Sequence, residues 1–470
     1  MPELTRTLLE AVTVDPEIGR PIPDAATGET VGYAPVHTVA DLDAKIEAAR
    51  RVQPAWAAMG HDERSRVLHT IADDIEVHAE ELAELLSREQ GKPLQGPGAR
   101  FEIGAAAAWT RAAADTVLEP EVVFEAGASR AEIHYSPLGV VGAIGPWNWP
   151  VMITVWQIAP SLRMGNSVLV KPSEFTPLSV LALVEIFNRH LPHDVLSVVA
   201  GDREVGASLA AHVGVDKIMF TGSTATGRKI VESSAHNLAR LTLELGGNDA
   251  GIVLPGTDVS AVVENVFWGA FNNSGQTCAA LKRLYVHDSL YEPFVEALAA
   301  LAAQMPMGRG LEPGNVLGPL QNSQQFGIIS RLVDDARARG ARIVTGGEAA
   351  PELGANFYRA TIVADIDDDA PLVSEEQFGP ALPILRYSDI DDAVARANDT
   401  DQGLGASVWG PDVGQAASIA ARLEAGTVWI NQHGALNPIV PFGGVKSSGY
   451  GMEFGVQGLK AVASPKVISW

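Results

Sequence analysis

The chain has a single cysteine, Cys278, in 470 residues. An intrachain disulfide is therefore excluded, and a cysteine-based zinc site has too few ligands; no metal is expected. Positive charge is also scarce. Lys and Arg number 34 against 57 Asp and Glu, which leaves a net charge of −23. Such a surface repels a phosphate backbone, so no nucleic-acid partner is expected. No run approaches the roughly 18 apolar residues of a membrane span. The opening stretch, MPELTRTLLEAVTVDPE, lacks a basic segment followed by an uninterrupted apolar core, so it does not read as a signal peptide. The expectation is a soluble, cytoplasmic, globular protein.

What is present is material for a core. Hydrophobic residues make up 46% of the chain, and the 46 glycines and 29 prolines are scattered rather than clustered. The length fits two or three domains at roughly 150 residues each. The first 35 residues look irregular, with a turn signal at Ala26-Thr27-Gly28. Helices are predicted over 40–58, 62–90 and 100–117; in the second, Val67, Ile71, Ile75, Leu82 and Leu86 recur near helical spacing. Two short strand-like runs, 122–124 and 131–135, form a predicted hairpin. From Gly139 onward short apolar runs alternate with helical stretches, at 140–144, 167–170, 195–199, 217–220, 241–244 and 251–254. A second alternation has strand candidates at 284–287, 341–345, 381–386, 406–409 and 427–430. Such alternation implies βαβ units, buried parallel sheets and two successive α/β lobes.

Several segments carry chemistry. Cys278 ends the small polar run Asn273-Ser274-Gly275-Gln276-Thr277, which favours a tight turn presenting the side chain. Most free cysteines are simply buried small hydrophobes, and that reading stands beside the catalytic one. Glu244 closes an apolar strand and runs into Leu245-Gly246-Gly247, where α/β sheets place ligands; an exposed strand-end acid is the plain alternative. Phe220-Thr221-Gly222-Ser223 joins a strand to a helix whose N-terminus favours an anion, although the first glycine of a GxGxxG fingerprint is missing. In Gly145-Pro146-Trp147-Asn148-Trp149-Pro150, Asn148 either caps the helix beginning at Pro150 or aims an amide at a developing oxyanion. Lys171-Pro172-Ser173-Glu174 ends another strand; its plain reading is a strand-terminating turn with two solvated charges. Walker A, GxSxG and HExxH patterns are absent.

These segments, followed by Glu375-Glu376-Gln377-Phe378-Gly379-Pro380 and Pro441-Phe442-Gly443-Gly444-Val445-Lys446-Ser447-Ser448-Gly449, occur in an order that resembles the NAD(P)-dependent aldehyde dehydrogenase superfamily over nearly the whole chain. The resemblance implies a Rossmann-like cofactor domain (1–118 and 137–245), an α/β catalytic domain (246–445) and a small β oligomerisation flap (119–136 and 455–470). It implies Cys278 as nucleophile, Glu244 as general base, and Asn148 with the Cys278 N–H as oxyanion hole. Lys171 and Glu174 would hold the adenosine ribose, Ser223 a phosphate, and Glu376 the nicotinamide ribose. Phe378 would pack near the nicotinamide, with Ile144, Pro146, Trp147, Ser173, Gly222 and Leu245 along the cofactor. NAD is expected over NADP, because Glu174 would meet a 2′-phosphate with like charge. A homodimer or homotetramer is implied. One departure stands out: Asn248-Asp249 follow Gly246-Gly247, where many members carry Lys and a small residue, next to the expected base.

On the substrate side, Trp149, Met152 or Ile153, and Trp156 share one face of the helix after Asn148. With Thr277 they are the expected substrate contacts, Ile153 being more simply a core residue. No Arg or Lys lies between Glu244 and Lys282, or from Trp429 to Val445. A carboxylate-bearing semialdehyde would want one, so an aldehyde with an uncharged apolar tail is expected. The alternatives are an amino-aldehyde or betaine aldehyde held by the tryptophans, a CoA-acylating relative, and a non-catalytic structural protein on this fold. Retention of Glu244 argues against CoA, and retention of Cys278 and Asn148 against a scaffold.

Overall fold

The run Val140–Ile144 is apolar and buried at every position. A strand with no polar face needs cover on both sides, which parallel sheets obtain from their crossover helices. The computed structural model, which describes residues 4–470, places this strand inside a six-stranded sheet. The spatial order is Gly449–Tyr450, Arg240–Glu244, Lys217–Thr221, Val140–Ile144, Ser167–Lys171 and Leu196–Val198. All neighbours run parallel except Gly449–Tyr450, which is antiparallel to Arg240–Glu244. The chain moves outward from Val140–Ile144 to Leu196–Val198, then crosses back to lay Lys217–Thr221 on the other side. Strand order thus reverses beside Val140–Ile144. In doubly wound sheets a ligand crevice opens at such a point, outside the carboxyl ends of the strands.

A seven-stranded sheet follows, ordered Arg342–Thr345, Thr361–Ala364, Ala381–Tyr387, Leu281–His287, Asp249–Val253, Gly405–Trp409 and Thr427–Ile430. Only Arg342–Thr345 is antiparallel to its neighbour. The expected α/β class is the one the chain adopts. The predicted hairpin forms as Glu121–Ala126 and Ser129–Pro137, and Ala463–Ser469 pairs with the latter to complete a three-stranded antiparallel sheet. No helix among the described residues is long and apolar enough to cross a membrane.

Three local expectations need correction. The first 35 residues are not irregular: a helix spans Leu4–Val12, and Arg20–Pro23 pairs with Thr30–Ala34 around a turn in which Asp24 Oδ1 accepts from the N–H groups of Ala26 and Thr27. The helix predicted over 62–90 is two, His61–Val77 and Ala79–Gln90. They meet at His78, whose ring nitrogen bonds to the Asp74 carbonyl, and the apolar spacing carries straight across the break. The strand Thr361–Ala364 was not anticipated, since four residues between loops leave no period to read.

Candidate active site

The crevice at the strand-order reversal is a cleft of about 600 Å³. Its walls come from the segments that follow the carboxyl ends of four strands. Ile144, Pro146, Trp147 and Asn148 leave Val140–Ile144; Lys171, Ser173 and Glu174 leave Ser167–Lys171; Gly222 and Ser223 leave Lys217–Thr221; Leu245 and Gly246 leave Arg240–Glu244. Glu376 and Phe378 close the far side, with Cys278 at the bottom. Ser223 caps the helix Thr224–Ser234, its hydroxyl accepting from Thr226 N, so this helix turns its N-terminal end toward the cleft. Lys171 Nζ lies 3.8 Å from Glu174 Oε2, and burial lowers the lysine's pKa. Thr226, in the first turn of the helix after Ser223, also lines the cleft, as do Arg203 and Lys229, which lie outside every motif read from the sequence. A cleft with an anion-favouring helix end, the cations Lys171, Arg203 and Lys229, and the carboxylates Glu174 and Glu376 in its walls fits a dinucleotide.

Asn148 does not cap the following helix. The N-cap position belongs to Trp149, which makes no side-chain capping bond, and Pro150 opens the helix Pro150–Arg163. The capping comes from elsewhere: Glu102 Oε1 accepts from Val151 N (2.9 Å) and Met152 N (3.1 Å). The other Glu102 oxygen is paired with Lys92, and both side chains are fully buried. Lys92 Nζ also donates to the Asn148 carbonyl (2.7 Å) and sits 3.5 Å above the Trp149 ring. Asn273 Nδ2 donates to the same carbonyl (2.9 Å), and Asn148 Nδ2 donates to Gln276 O (2.9 Å). The Asn148 backbone is thus pinned from two sides, and its amide faces the cysteine turn.

That turn is conformationally demanding. Asn273, Ser274 and Gly275 all have positive φ (52°, 54° and 75°). At Gly275 a Cβ would lie 2.2 Å from the Gly379 carbonyl oxygen, so only glycine fits there. Cys278 follows, just ahead of the strand Leu281–His287, and is partly exposed to the cavities it lines. Enclosure pushes its thiol up to about 12; Lys282 pulls it down, while Glu244 and Glu376 push it up further.

Glu244 ends its strand buried, with neither carboxylate oxygen hydrogen-bonded. Burial, reinforced by Glu453, holds its pKa well above the usual carboxylate range. Glu453 is equally buried and unpartnered, raised to about 8 by burial, with Lys217 opposing. Lys217 donates to Thr242 Oγ1 (2.8 Å) and is itself lowered to about 7 by burial. Sequence reasoning did not find Glu453 or Lys217. The departure at 248–249 leaves Glu244 alone: Asn248 Nδ2 bonds to Val373 O, and Asp249 Oδ1 accepts from Gly405 N.

A second cavity, about 90 Å³, lies on the other side of Cys278. Trp149, Met152, Trp156 and Thr277 line it, as does Ile153, which was read as plain core. Trp149 is held by its Nε1 donating to Thr277 Oγ1 at 3.0 Å. The sequence gave no further aromatic walls, yet Phe101, Trp109, Trp268 and Phe442 supply them. No Asp, Glu, Lys or Arg lines the cavity; His433 is its one titratable wall besides Cys278. These walls come from four distant segments, so no local pattern reveals them.

The aldehyde dehydrogenase family matches residues 17–468, and the chain belongs to that family. It is 39% identical to "Aldehyde dehydrogenase LUC3" of Fusarium sp over 95% of this chain and 94% of that protein. It is also 39% identical to a phenylacetaldehyde dehydrogenase of Pseudomonas fluorescens, over 93% of this chain and 89% of that one. Among solved structures, an NAD+ complex of an aldehyde dehydrogenase from Bacillus cereus superposes with a TM-score of 0.93 at 34% identity, covering 96% of this chain and 93% of that chain.

Proposed function

We propose that the chain oxidises an aldehyde with an uncharged, apolar aromatic or aliphatic tail to the carboxylic acid, using NAD. The observation that carries this reading is the position of Cys278, which lines both the dinucleotide-sized cleft and the aromatic cavity. The aldehyde's tail occupies the cavity and its carbonyl carbon meets the Cys278 sulfur. The thiol is a poor nucleophile while protonated, so its proton passes to a base as the carbon–sulfur bond forms. Glu244, unbonded and raised in pKa, suits that proton. The resulting oxyanion is met by the Asn148 amide, one of whose two N–H groups is engaged by Gln276 O, and by the Cys278 N–H. A bound dinucleotide would supply the hydride acceptor. Lys171 and Glu174 hold its adenosine ribose, Ser223 and the helix end a phosphate, and Glu376 the nicotinamide ribose. Glu244 would release the thiol's proton to solvent and, ionised again, take a proton from the water that attacks the Cys278 thioester, with the thiolate as leaving group.

The lack of an Asp, Glu, Lys or Arg wall among the described residues supports a neutral tail, because a buried unpaired charge is costly. The relative that acts on phenylacetaldehyde is consistent with an aromatic one. The division into cofactor, catalytic and flap domains belongs to the same proposal, with the flap's exposed Val122, Phe124, Val467 and Ile468 as the surface for a second copy. The test compares kcat/KM for hexanal and benzaldehyde with that for succinate semialdehyde and betaine aldehyde. A higher value for either charged aldehyde overturns the neutral-tail reading. Cys278→Ala should hold NADH formation below about 1% of wild type, since loss of a covalent nucleophile costs several orders of magnitude.

A further inference from the structure

Between the cleft and the nucleophile lies a buried cation that nothing above has used. Lys282 is the second residue of the strand Leu281–His287, and its side chain is only 2% exposed. Its Nζ donates to the carbonyl oxygen of Cys278 and, at 3.0 Å, to Glu376 Oε1. The same Glu376 oxygen accepts from Gly247 N at 3.1 Å. Three segments therefore converge on one carboxylate: the strand end after Glu244, the cysteine turn, and the loop carrying Glu376. The approach is close enough to demand glycine at 247, where a Cβ would lie 2.6 Å from the Cys278 carbonyl oxygen.

A buried ammonium costs several kcal/mol unless it is paired, and here one bond goes to the nucleophile's backbone and the other to a carboxylate on the cleft wall. The charged groups that bear on the thiol are Lys282, Glu244 and Glu376, one cation against two carboxylates. Lys282 and Gly247 N both bond to Glu376 Oε1, so a ligand hydroxyl that bonds to Oε2 draws on the same carboxylate charge that Lys282 pairs. Occupancy of the cleft and the electrostatic setting of Cys278 therefore share one carboxylate.

We propose that Lys282 is a positioning residue that ties the Cys278 turn to Glu376, so that filling the ribose side of the cleft and readying the thiol for attack are one coupled event. The proposal rests on the reading of Cys278 as nucleophile and Glu376 as ribose ligand. Because Cys278 is the chain's single cysteine, alkylation by iodoacetamide reports on it alone. The experiment measures the alkylation rate of the full chain against pH, with and without saturating NAD. For wild type, NAD should change the rate at neutral pH several-fold. Lys282→Met removes the cation and should slow alkylation about tenfold, equivalent to raising the thiol by about one pH unit. It should also abolish the response to NAD and raise KM for NAD, and Lys282→Arg should restore part of each. Glu376→Gln, which keeps the cation, should move the thiol midpoint the opposite way, to lower pH, and also lose the NAD response. Should Lys282→Met fail to fold, this second variant carries the test. A wild-type midpoint and wild-type NAD response in either variant overturns the coupling. If fully alkylated wild type still turns over, the underlying assignment of Cys278 fails instead, and that outcome is read without either variant.

Discussion

Glu244, Glu453 and Lys217 share one buried problem at the residue scale: burial opposes charge on each of them. A carboxyl that stays protonated cannot take a proton, so the ionised fraction of Glu244 limits both thiol activation and thioester hydrolysis. Glu453 worsens this, because a second negative charge nearby disfavours ionisation of the first. The sign of a test follows. Glu453→Gln removes the like charge, the Glu244 pKa falls, and the acid limb of the kcat–pH profile should move to lower pH by about one unit. A limb that stays in place or moves up would show that Glu453 does not act on the base. Glu244→Gln should leave a stoichiometric NADH burst, itself slowed to the extent that Glu244 deprotonates the thiol, followed by still slower turnover, read by stopped-flow absorbance; wild-type steady-state turnover would remove Glu244 from the chemistry. Of these groups the sequence exposed only Glu244, because a strand end followed by two glycines is a local signal. Glu453 sits in Gly451-Met452-Glu453-Phe454, which says nothing about what packs over it.

Among the elements, the helix Pro150–Arg163 is the one on which the oxyanion site depends, and its N-terminus is held by a side chain 49 residues away in sequence. Every residue of this helix is buried, so solvent cannot serve its first N–H groups, and the Glu102 carboxylate does so instead. Lys92 balances that carboxylate and grips the Asn148 carbonyl; burial lowers the lysine to about 8, with Glu102 opposing. Removing one partner of a buried pair strands the other, at a cost of about 3–5 kcal/mol. Lys92→Met should therefore lower the thermal midpoint measurably and also reduce kcat, because Asn148 loses one of its two carbonyl donors. Adding Glu102→Gln, which keeps the helix-capping acceptor without the charge, should recover much of the midpoint. A double variant no better than the single one would show that the pair contributes through packing alone. The strands were readable because apolar runs of four to six residues between turns leave few alternatives. The Lys92–Glu102 pair was not, because Lys92 reads as part of a helix-ending turn and Glu102 as an ordinary polar position of a helix until the tertiary fold removes water from them.

At the scale of the whole molecule, a chain with net charge −23 has to bind a dinucleotide whose phosphates are negative. The long-range field opposes this, so binding depends on what the cleft supplies locally: Lys171, Arg203, Lys229 and the N-terminal end of Thr224–Ser234. The order of motifs made the α/β class readable, and strand topology then explains why four strand ends meet at one crevice. The cations Arg203 and Lys229 came into view only with the fold, since neither lies within a motif. Within that cleft Glu174 is the residue we propose to discriminate between NAD and NADP. Its carboxylate is half-exposed and paired only loosely with Lys171 at 3.8 Å, so it is free to accept from a ribose 2′-hydroxyl and to repel a 2′-phosphate. Arg203 and Lys229 soften that repulsion but do not remove the carboxylate. NAD should accordingly exceed NADP in kcat/KM by at least about tenfold, a difference of roughly 1.4 kcal/mol. The same preference should appear without turnover: at equal concentration NAD should raise the thermal midpoint more than NADP, since a ligand at 100 times its Kd adds about 2.7 kcal/mol to the folded state. Glu174→Gln should narrow both gaps by improving NADP while leaving NAD nearly unchanged. If NADP instead matches NAD in the wild-type protein by both measurements, Glu174 points away from the ribose, and the cations set the preference.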